Sequence, residues 1–170
     1  MSQGPFADFA SFEEWLEQIA EQSDPMFHSI LVHGAARGLA AYLRITPAMG
    51  VIEVGNISYA PSLQRTRAAT EAMYLMMRRA FDELGYRRYE WKADALNAPS
   101  GRAALRLGFN YEGTFKQAVV YKGRNRDTAW YAITDAEWPR VRDALEAWLD
   151  PANFDAAGQQ LRTLEDVRAR

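Results

Sequence analysis

Residues 51–60 read as a strand and residues 66–84 as a helix, and the segment Gln64-Arg65-Thr66-Arg67-Ala68-Ala69-Thr70-Glu71-Ala72 spans the junction between them. The first N–H groups of a helix have no intrahelical partner and carry a partial positive charge, so a strand, a short loop and a helix in succession form a cradle for phosphate. The junction therefore predicts a site for a phosphorylated cofactor. It also restricts the fold. Residues 86–93 return as a strand directly after this helix, and a strand reached through a helix lies parallel to an earlier one.

Ahead of the junction the pattern is antiparallel. Residues 27–33 and 39–46 flank Gly34-Ala35-Ala36-Arg37-Gly38 as a hairpin, and residues 51–60 follow a turn at 47–50, which completes a meander. Ser11-Phe12-Glu13-Glu14 has the form of a capping box, and Phe12, Trp15, Leu16 and Ile19 recur at helical spacing, so residues 11–21 read as an amphipathic helix. The helix over 66–84 carries Ala69, Ala72, Met73, Met76, Ala80, Phe81 and Leu84 toward the core and stops at Gly85. A short helix over 98–107 is bounded by Asn97 and Gly108. Residues 115–122 and 128–133 form a last hairpin around Gly123-Arg124-Asn125-Arg126, and Thr134 with Glu137 starts a helix that runs to residue 149. The tail from Pro151 onward carries no chemistry legible in its residues.

A chain of 170 residues, 48% of them hydrophobic, can bury one core, so residues 1–170 are expected to form a single domain with an arm at 1–10 and a tail at 151–170. A net charge of −2 argues against nucleic acid as a partner. The absence of cysteine excludes disulfides, a thiolate nucleophile and a cysteine zinc site. His28 and His33, five apart in one predicted strand, point to opposite faces and make no shared site, so no metal is expected. With no apolar run of membrane-spanning length and no charged leader before an apolar core, the expectation is a cytoplasmic protein without a membrane partner.

Gln64, Arg67 and Ala69 fall where a Gln/Arg-x-x-Gly-x-Gly/Ala pyrophosphate loop has its key residues. The segment resembles the acyl-coenzyme A loop of the GNAT superfamily of N-acetyltransferases. Downstream, Asn97-Ala98-Pro99-Ser100 is followed by Arg106-Leu107-Gly108-Phe109 and Tyr111-Glu112-Gly113, similar to the "N-x-x-S … L-G-F-x-x-E-G" signature of the branch that contains the ribosomal-protein N-terminal acetyltransferases. The two motifs and their flanks cover residues 27–134 in the family's order. The resemblance implies an α/β (α+β) GNAT-like fold: a mixed, mostly antiparallel sheet with a central splayed parallel strand pair and helices on both faces. It implies acetyl-CoA as cosubstrate and transfer of its acetyl group to a primary amine, a peptide or protein N-terminus or a small molecule, by direct attack in a ternary complex. It places Ile57, Ser58 and Tyr59 on the pantetheine amides, with a free N–H near Ile57 for the oxyanion. It places Gln64, Arg65, Thr66, Arg67, Ala68 and Ala69 on the diphosphate, and Asn97 on the pantetheine arm. Ser100 falls where this branch has a proton donor for the departing thiolate.

The chain departs from that pattern in places. Arg67 stands where the family has Gly, a residue that permits positive φ and close approach to phosphate. Arg65 and Arg67 either place guanidinium groups on the phosphates or are solvated residues at a helix start. Family members carry a strand and a helix before the segment at 11–21, whereas about ten residues precede it here. Residues 27–33 thus read as a bare sheet edge, to be covered by a partner subunit, in a homodimer or edge-paired oligomer, or by the arm at 1–9.

Two residues compete for the base. Glu53, the only carboxylate in 51–60, is read as sharing a face with Gly55, Ile57 and Tyr59 and matches the acidic position of the family's E-x-G stretch; otherwise it is a strand residue paired with an arginine. Glu90 is the second candidate, on the face of Arg88, Lys92 and Asp94, a pattern equally suited to a structural ion network. Ser100 is either the proton donor or a residue that satisfies helix N–H groups. An α-amine of pKa ~8 is roughly a tenth neutral at pH 7 and a Lys amine of ~10.4 well under ~0.1%, so without a strong base an α-amine is the favoured acceptor. Lys122, Arg124 and Arg126 at the last hairpin either attract an acidic group, such as the cofactor's 3′-phosphate, or are solvated turn residues. Two further functions fit the same residues: a coenzyme A binding module without catalysis, and an assembly protein that works through its open edge.

Overall fold

The computed structural model describes residues 4–169. Its main elements are α1 (Phe9–Ala20), β1 (Met26–Val32), β2 (Ala35–Thr46), β3 (Val51–Tyr59), α2 (Arg67–Arg78), β4 (Arg88–Asp94), α3 (Ala98–Leu107), β5 (Asn110–Tyr121), β6 (Arg124–Thr134), α4 (Trp138–Leu149) and α5 (Leu164–Arg168). Six strands form one sheet in the order β1-β2-β3-β4-β6-β5. All neighbours are antiparallel except β3 and β4, the pair joined through α2, as the crossover argument requires.

Alternation along the strands sorts their side chains onto two faces. Ile52 and Val54 of β3, Tyr89 and Trp91 of β4 and Ile133 of β6 join Met73 and Met77 of α2, Leu107 of α3 and Leu145 and Trp148 of α4 in one buried core. On β1, His28 meets Tyr42 edge to face, and the Tyr42 hydroxyl donates to the Met76 carbonyl of α2, so the adjacent Phe27 looks to the opposite side. There it meets Trp15 of α1, with ring centroids 5.6 Å apart. Helices thus cover both faces. Among the described residues no helix is long and apolar enough to cross a membrane.

The central pair diverges. The ladder between β3 and β4 runs only from Val51–Val54 against Arg88–Trp91. Beyond it, β4 stays with β6 through Asp94 and β3 stays with β2 through Tyr59. The cause is a β-bulge: Asn56 and Ile57 together oppose Ala40, and Asn56 adopts φ 49°. An extra residue bends a strand and raises its twist, and asparagine tolerates the left-handed region better than most residues. The bulge also shifts the alternation, so Ile57 and Tyr59 turn to the core side while Glu53 stays on the other face. The expectation that Glu53 shares a face with Ile57 and Tyr59 is corrected on that ground.

Other boundaries move for local reasons. α1 begins at Phe9 because Asp8, not Ser11, is its cap, accepting from the Ser11 amide at 2.8 Å. His33 lies in the turn after β1 with φ 50°, so β2 starts at Ala35 and the predicted five-residue connection is shorter. α2 passes into a π-helical turn over Arg79–Glu83 before the expected stop at Gly85. β5 starts at Asn110 rather than at Phe115, with a bulge between Tyr111 and Gly113. The outer edge of β1 has no strand partner among the described residues. Of the arm's described residues, Gly4 accepts at its carbonyl from Lys122 Nζ beyond β5, 3.0 Å away, and Phe6 packs against Phe12 and Trp15 of α1, while residues 1–3 lie outside the described residues.

Where β2 crosses β3 beside the divergence, Gly38 admits no side chain, since a Cβ there would lie 2.8 Å from the Ser58 carbonyl oxygen. Gly38→Ala is expected to destabilise the protein by about 1–3 kcal/mol in urea unfolding, the usual cost of forcing atoms into a filled site.

Candidate functional site

Where β3 and β4 part, a cleft of about 990 Å³ opens, floored by Ile57, Tyr59 and Trp91 and walled by the first turns of α2 and α3. Its α2 wall presents amides. Thr66 caps α2 by accepting from the Ala69 N–H at 3.2 Å, and the Thr70 N–H goes to the Thr66 carbonyl. The N–H groups of Arg67 and Ala68 are left without a partner among the described residues, at the positive end of the helix. Gln64 ties the loop to the end of β3 by donating to the Tyr59 carbonyl at 3.1 Å. Ser58 points away between Ile57 and Tyr59, so neither it nor the Ala68 side chain lines the cleft.

The two loop arginines differ in backbone and contacts. The left-handed residue of the loop is Arg65, at φ 60°, while Arg67 is the first helical residue. Position 67 therefore needs no glycine. The Arg67 guanidinium donates to the Leu149 carbonyl at the end of α4 and lies 5.0 Å from the Phe154 ring centroid, so this exposed side chain is tied to the end of α4 and the segment after it.

A third arginine, Arg106, reaches the cleft from α3, donating to Thr70 Oγ1 at 3.1 Å with its guanidinium 4.8 Å from the Trp148 ring centroid. None of the three has a carboxylate within ion-pair distance among the described residues, and no Asp or Glu lines the cleft. In a chain of net charge −2 this is a local cationic surplus, suited to a polyanion.

At the other end, Asn97 caps α3, its Oδ1 accepting from the Ser100 N–H at 3.3 Å. Asn97 thus does the capping, and the Ser100 hydroxyl is free for another role. Trp91 Nε1 donates to Ser100 Oγ at 2.9 Å. Indole nitrogen is a donor only, so this bond occupies an oxygen lone pair and leaves the hydroxyl proton to point elsewhere, and Ser100 lines the cleft. Burial pushes the Tyr59 phenol up to about 12, which keeps it neutral.

The carboxylates lie on the opposite face. Glu53 and Glu90 are 5% and 7% exposed, and Lys92 Nζ bridges them at 2.9 and 2.7 Å while sitting 3.8 Å from the Trp130 ring centroid. Arg44 Nε adds a contact to Glu53 Oε2 at 3.1 Å, and Arg88 links Glu90 to Glu112. The ion network read as one alternative is present, and both acids belong to it. Their titrations diverge. Burial pushes Glu53 above the usual carboxylate range despite Lys92 and Arg44. For Glu90 burial acts in the same direction but is outweighed by hydrogen bonds from Lys92 and Arg88, which leave it lowered. Only Glu53 keeps an open oxygen: Oε2 holds both cations, whereas Oε1 has no partner among the described residues and lies 3.6 Å from where a Gly55 Cβ would be, at the start of the divergence.

At the hairpin tip, Lys122 and Arg124 are exposed; Arg124 pairs with Asp94, Lys122 donates to the Gly4 carbonyl and Arg126 lies 6.0 Å from the Tyr121 ring centroid. Among the described residues no group of three or more His, Asp or Glu is placed to hold a metal ion. Three contributors escaped the sequence reading. Trp91 alternates away from the charged face of β4, Arg106 lies on the face of α3 toward α4, which no local pattern marks, and the segment carrying Phe154 has no periodicity.

The sequence model of the acetyltransferase (GNAT) domain family matches residues 4–110. A GCN5-related N-acetyltransferase from Brucella melitensis is similar over 100% of this chain and 78% of its own, at 49% identity and a TM-score of 0.97. A probable acetyltransferase of the GNAT family from Chromobacterium violaceum is similar over 82% of this chain and 71% of its own, at 44% identity and a TM-score of 0.77. The uncharacterized N-acetyltransferase YnaD of Bacillus subtilis is 29% identical over 86 residues, 51% of this chain and 50% of that relative, so the match spans half the relative's length.

Proposed function

The chain belongs to the GNAT acetyltransferase family, and from that premise we propose that it transfers an acetyl group from acetyl-CoA to an α-amine, in the manner of the branch that acetylates ribosomal-protein N-termini. One observation carries the reading. Among the described residues, the one parallel strand pair opens after Val54 and Trp91 onto a cleft with free helix amides, three arginines and no carboxylate. A diphosphate fits the amides of Arg67 and Ala68, and an extended pantetheine chain fits the gap between β3 and β4. Bound acetyl-CoA supplies an activated thioester.

The residues divide the remaining work. The acceptor nitrogen bonds to the thioester carbonyl carbon as the oxygen takes negative charge, and the Ile57 amide at the bulge is the proposed donor to that oxygen. The carbon–sulfur bond then breaks. The Ser100 hydroxyl, held by Trp91, gives its proton to the departing thiolate. The proton lost by the amine goes to Glu53 Oε1, directly or through water. Burial raises Glu53 toward the range useful for a base, whereas Glu90 is lowered and held by two cations. Glu53 is accordingly chosen over Glu90.

The acceptor class is tested by coupling thiol release to a panel of amines. Dipeptides with a free α-amine are expected to react at least ~10-fold faster, in kcat/KM at pH 7, than N-blocked peptides whose only amine is a lysine, following the larger neutral fraction of an α-amine. Faster acetylation of internal lysine overturns the acceptor assignment. Binding of coenzyme A with no thiol release across the panel supports the non-catalytic alternative.

A further inference from the structure

Beyond α4 the chain forms a built loop. Asn153, 8% exposed, brackets it: Nδ2 donates to the carbonyls of Trp148 and Arg162, and Oδ1 accepts from the Arg162 amide at 3.0 Å. The Leu161 N–H donates to the Asn153 carbonyl at 2.7 Å, and Phe154 bridges to Gln160 across the loop. Trp148 Nε1 donates to Gln160 Oε1 at 2.9 Å, and Leu164 and Val167 of α5 anchor the far side in the core. This loop closes one side of the cleft with Phe154, Gly158, Gln159 and Gln160.

The loop meets the cleft through its arginines. Arg67 stacks on Phe154 of the loop and donates to the Leu149 carbonyl at the end of α4, and Arg106 lies over Trp148 of α4, whose indole the loop holds through Gln160; among the described residues neither Ser100 nor Trp91 has a hydrogen bond or ring contact with the loop. It therefore stands at the phosphate end of the site, away from the thioester. The chemistry there changes from guanidinium groups and bare amides, which suit phosphate, to the Phe154 ring and the side-chain amides of Gln159 and Gln160, which suit a purine.

We infer that residues 150–163 bind the nucleotide end of coenzyme A and that Arg67 ties this segment to the phosphate loop. The inference rests on the cofactor reading above and adds to it the part of the ligand that this segment recognises. The arginine at the family's glycine position follows from it: Arg67 reaches the loop, which a glycine does not.

The test is affinity, by titration calorimetry on the full chain with two probes, coenzyme A and 4′-phosphopantetheine, which keeps the arm and one phosphate but lacks the nucleotide. Phe154→Ala is expected to weaken coenzyme A by at least ~10-fold, the scale of one lost aromatic contact, and to leave 4′-phosphopantetheine within about 2-fold. Amide hydrogen exchange of the wild type gives a second reading, with coenzyme A protecting residues 150–163 and 4′-phosphopantetheine leaving them unprotected. Equal losses for both probes, no loss for either, or no protection by coenzyme A overturns the inference. A wild type that binds no coenzyme A at all instead sinks the underlying cofactor reading.

Discussion

Replacing Ser100 with alanine is expected to lower kcat by about 100-fold or more while KM for acetyl-CoA changes little, because a proton donor acts on the leaving thiolate in the transition state. Its hydroxyl is committed to the cleft: Asn97 already caps α3, and Trp91 fills an acceptor site on Ser100 Oγ. The same substitution strands the Trp91 N–H, 6% exposed overall, so a stability loss of about 1–3 kcal/mol accompanies it and must be measured in parallel. Steady-state thiol release at a temperature well below the variant's Tm separates the two effects. A drop in kcat of less than ~3-fold in folded protein removes Ser100 from the proton path.

Lys92→Met is expected to cost about 3–5 kcal/mol near pH 7, the scale for breaking a buried ion pair by deleting one partner. Among the described residues, Lys92 alone of the cations touches both Glu53 and Glu90, and its own side chain is 6% exposed. The pH dependence carries a sign. Glu53 is raised in the folded state above its ordinary 4.5, so the native protein binds the extra proton and Glu53's contribution to stability declines as pH rises from 4.5 through the folded value. Glu90 is lowered, and its contribution is present above 4.5 and lost as pH falls through its folded value. Loss of the ammonium raises both carboxylates and enlarges the first effect. The deficit of Lys92→Met against wild type should therefore shrink between pH 7 and pH 5 in urea unfolding, and a deficit constant across that range contradicts this account of the network.

The parallel pair was legible because chain connectivity requires it: a strand, a helix and a strand leave little alternative. The phosphate end was legible for a similar reason, since a helix start exposes amides whatever its sequence. The bulge was missed although a local signal existed, the Gly55-Asn56 dipeptide inside a strand. Strict alternation puts Glu53 and Ile57 on one face, whereas the extra residue of the bulge turns Ile57 to the core side. The downstream motif proves mostly structural. Gly108 turns the chain out of α3 at φ 104° against Val141, Phe109 sits beside Trp91 in the core, Glu112 pairs with Arg88 and Gly113 follows a bulge. The loop after α4 was illegible for the opposite reason. Its Phe154 meets Arg67, and its Gln160 holds the Trp148 indole that lies under Arg106; these meetings span long stretches of chain, and neither periodicity nor turn chemistry encodes them.

The account rests on the divergence of β3 and β4 as the seat of a thioester. Crystals of the protein with acetyl-CoA test it most directly. The prediction is density for the acyl end between the strands beyond Val54 and Trp91, the sulfur within hydrogen-bonding reach of Ser100 Oγ, and the diphosphate on the amides of Arg67 and Ala68. Density for the cofactor outside this gap, or strands closed into a continuous ladder around a ligand bound elsewhere, contradicts it.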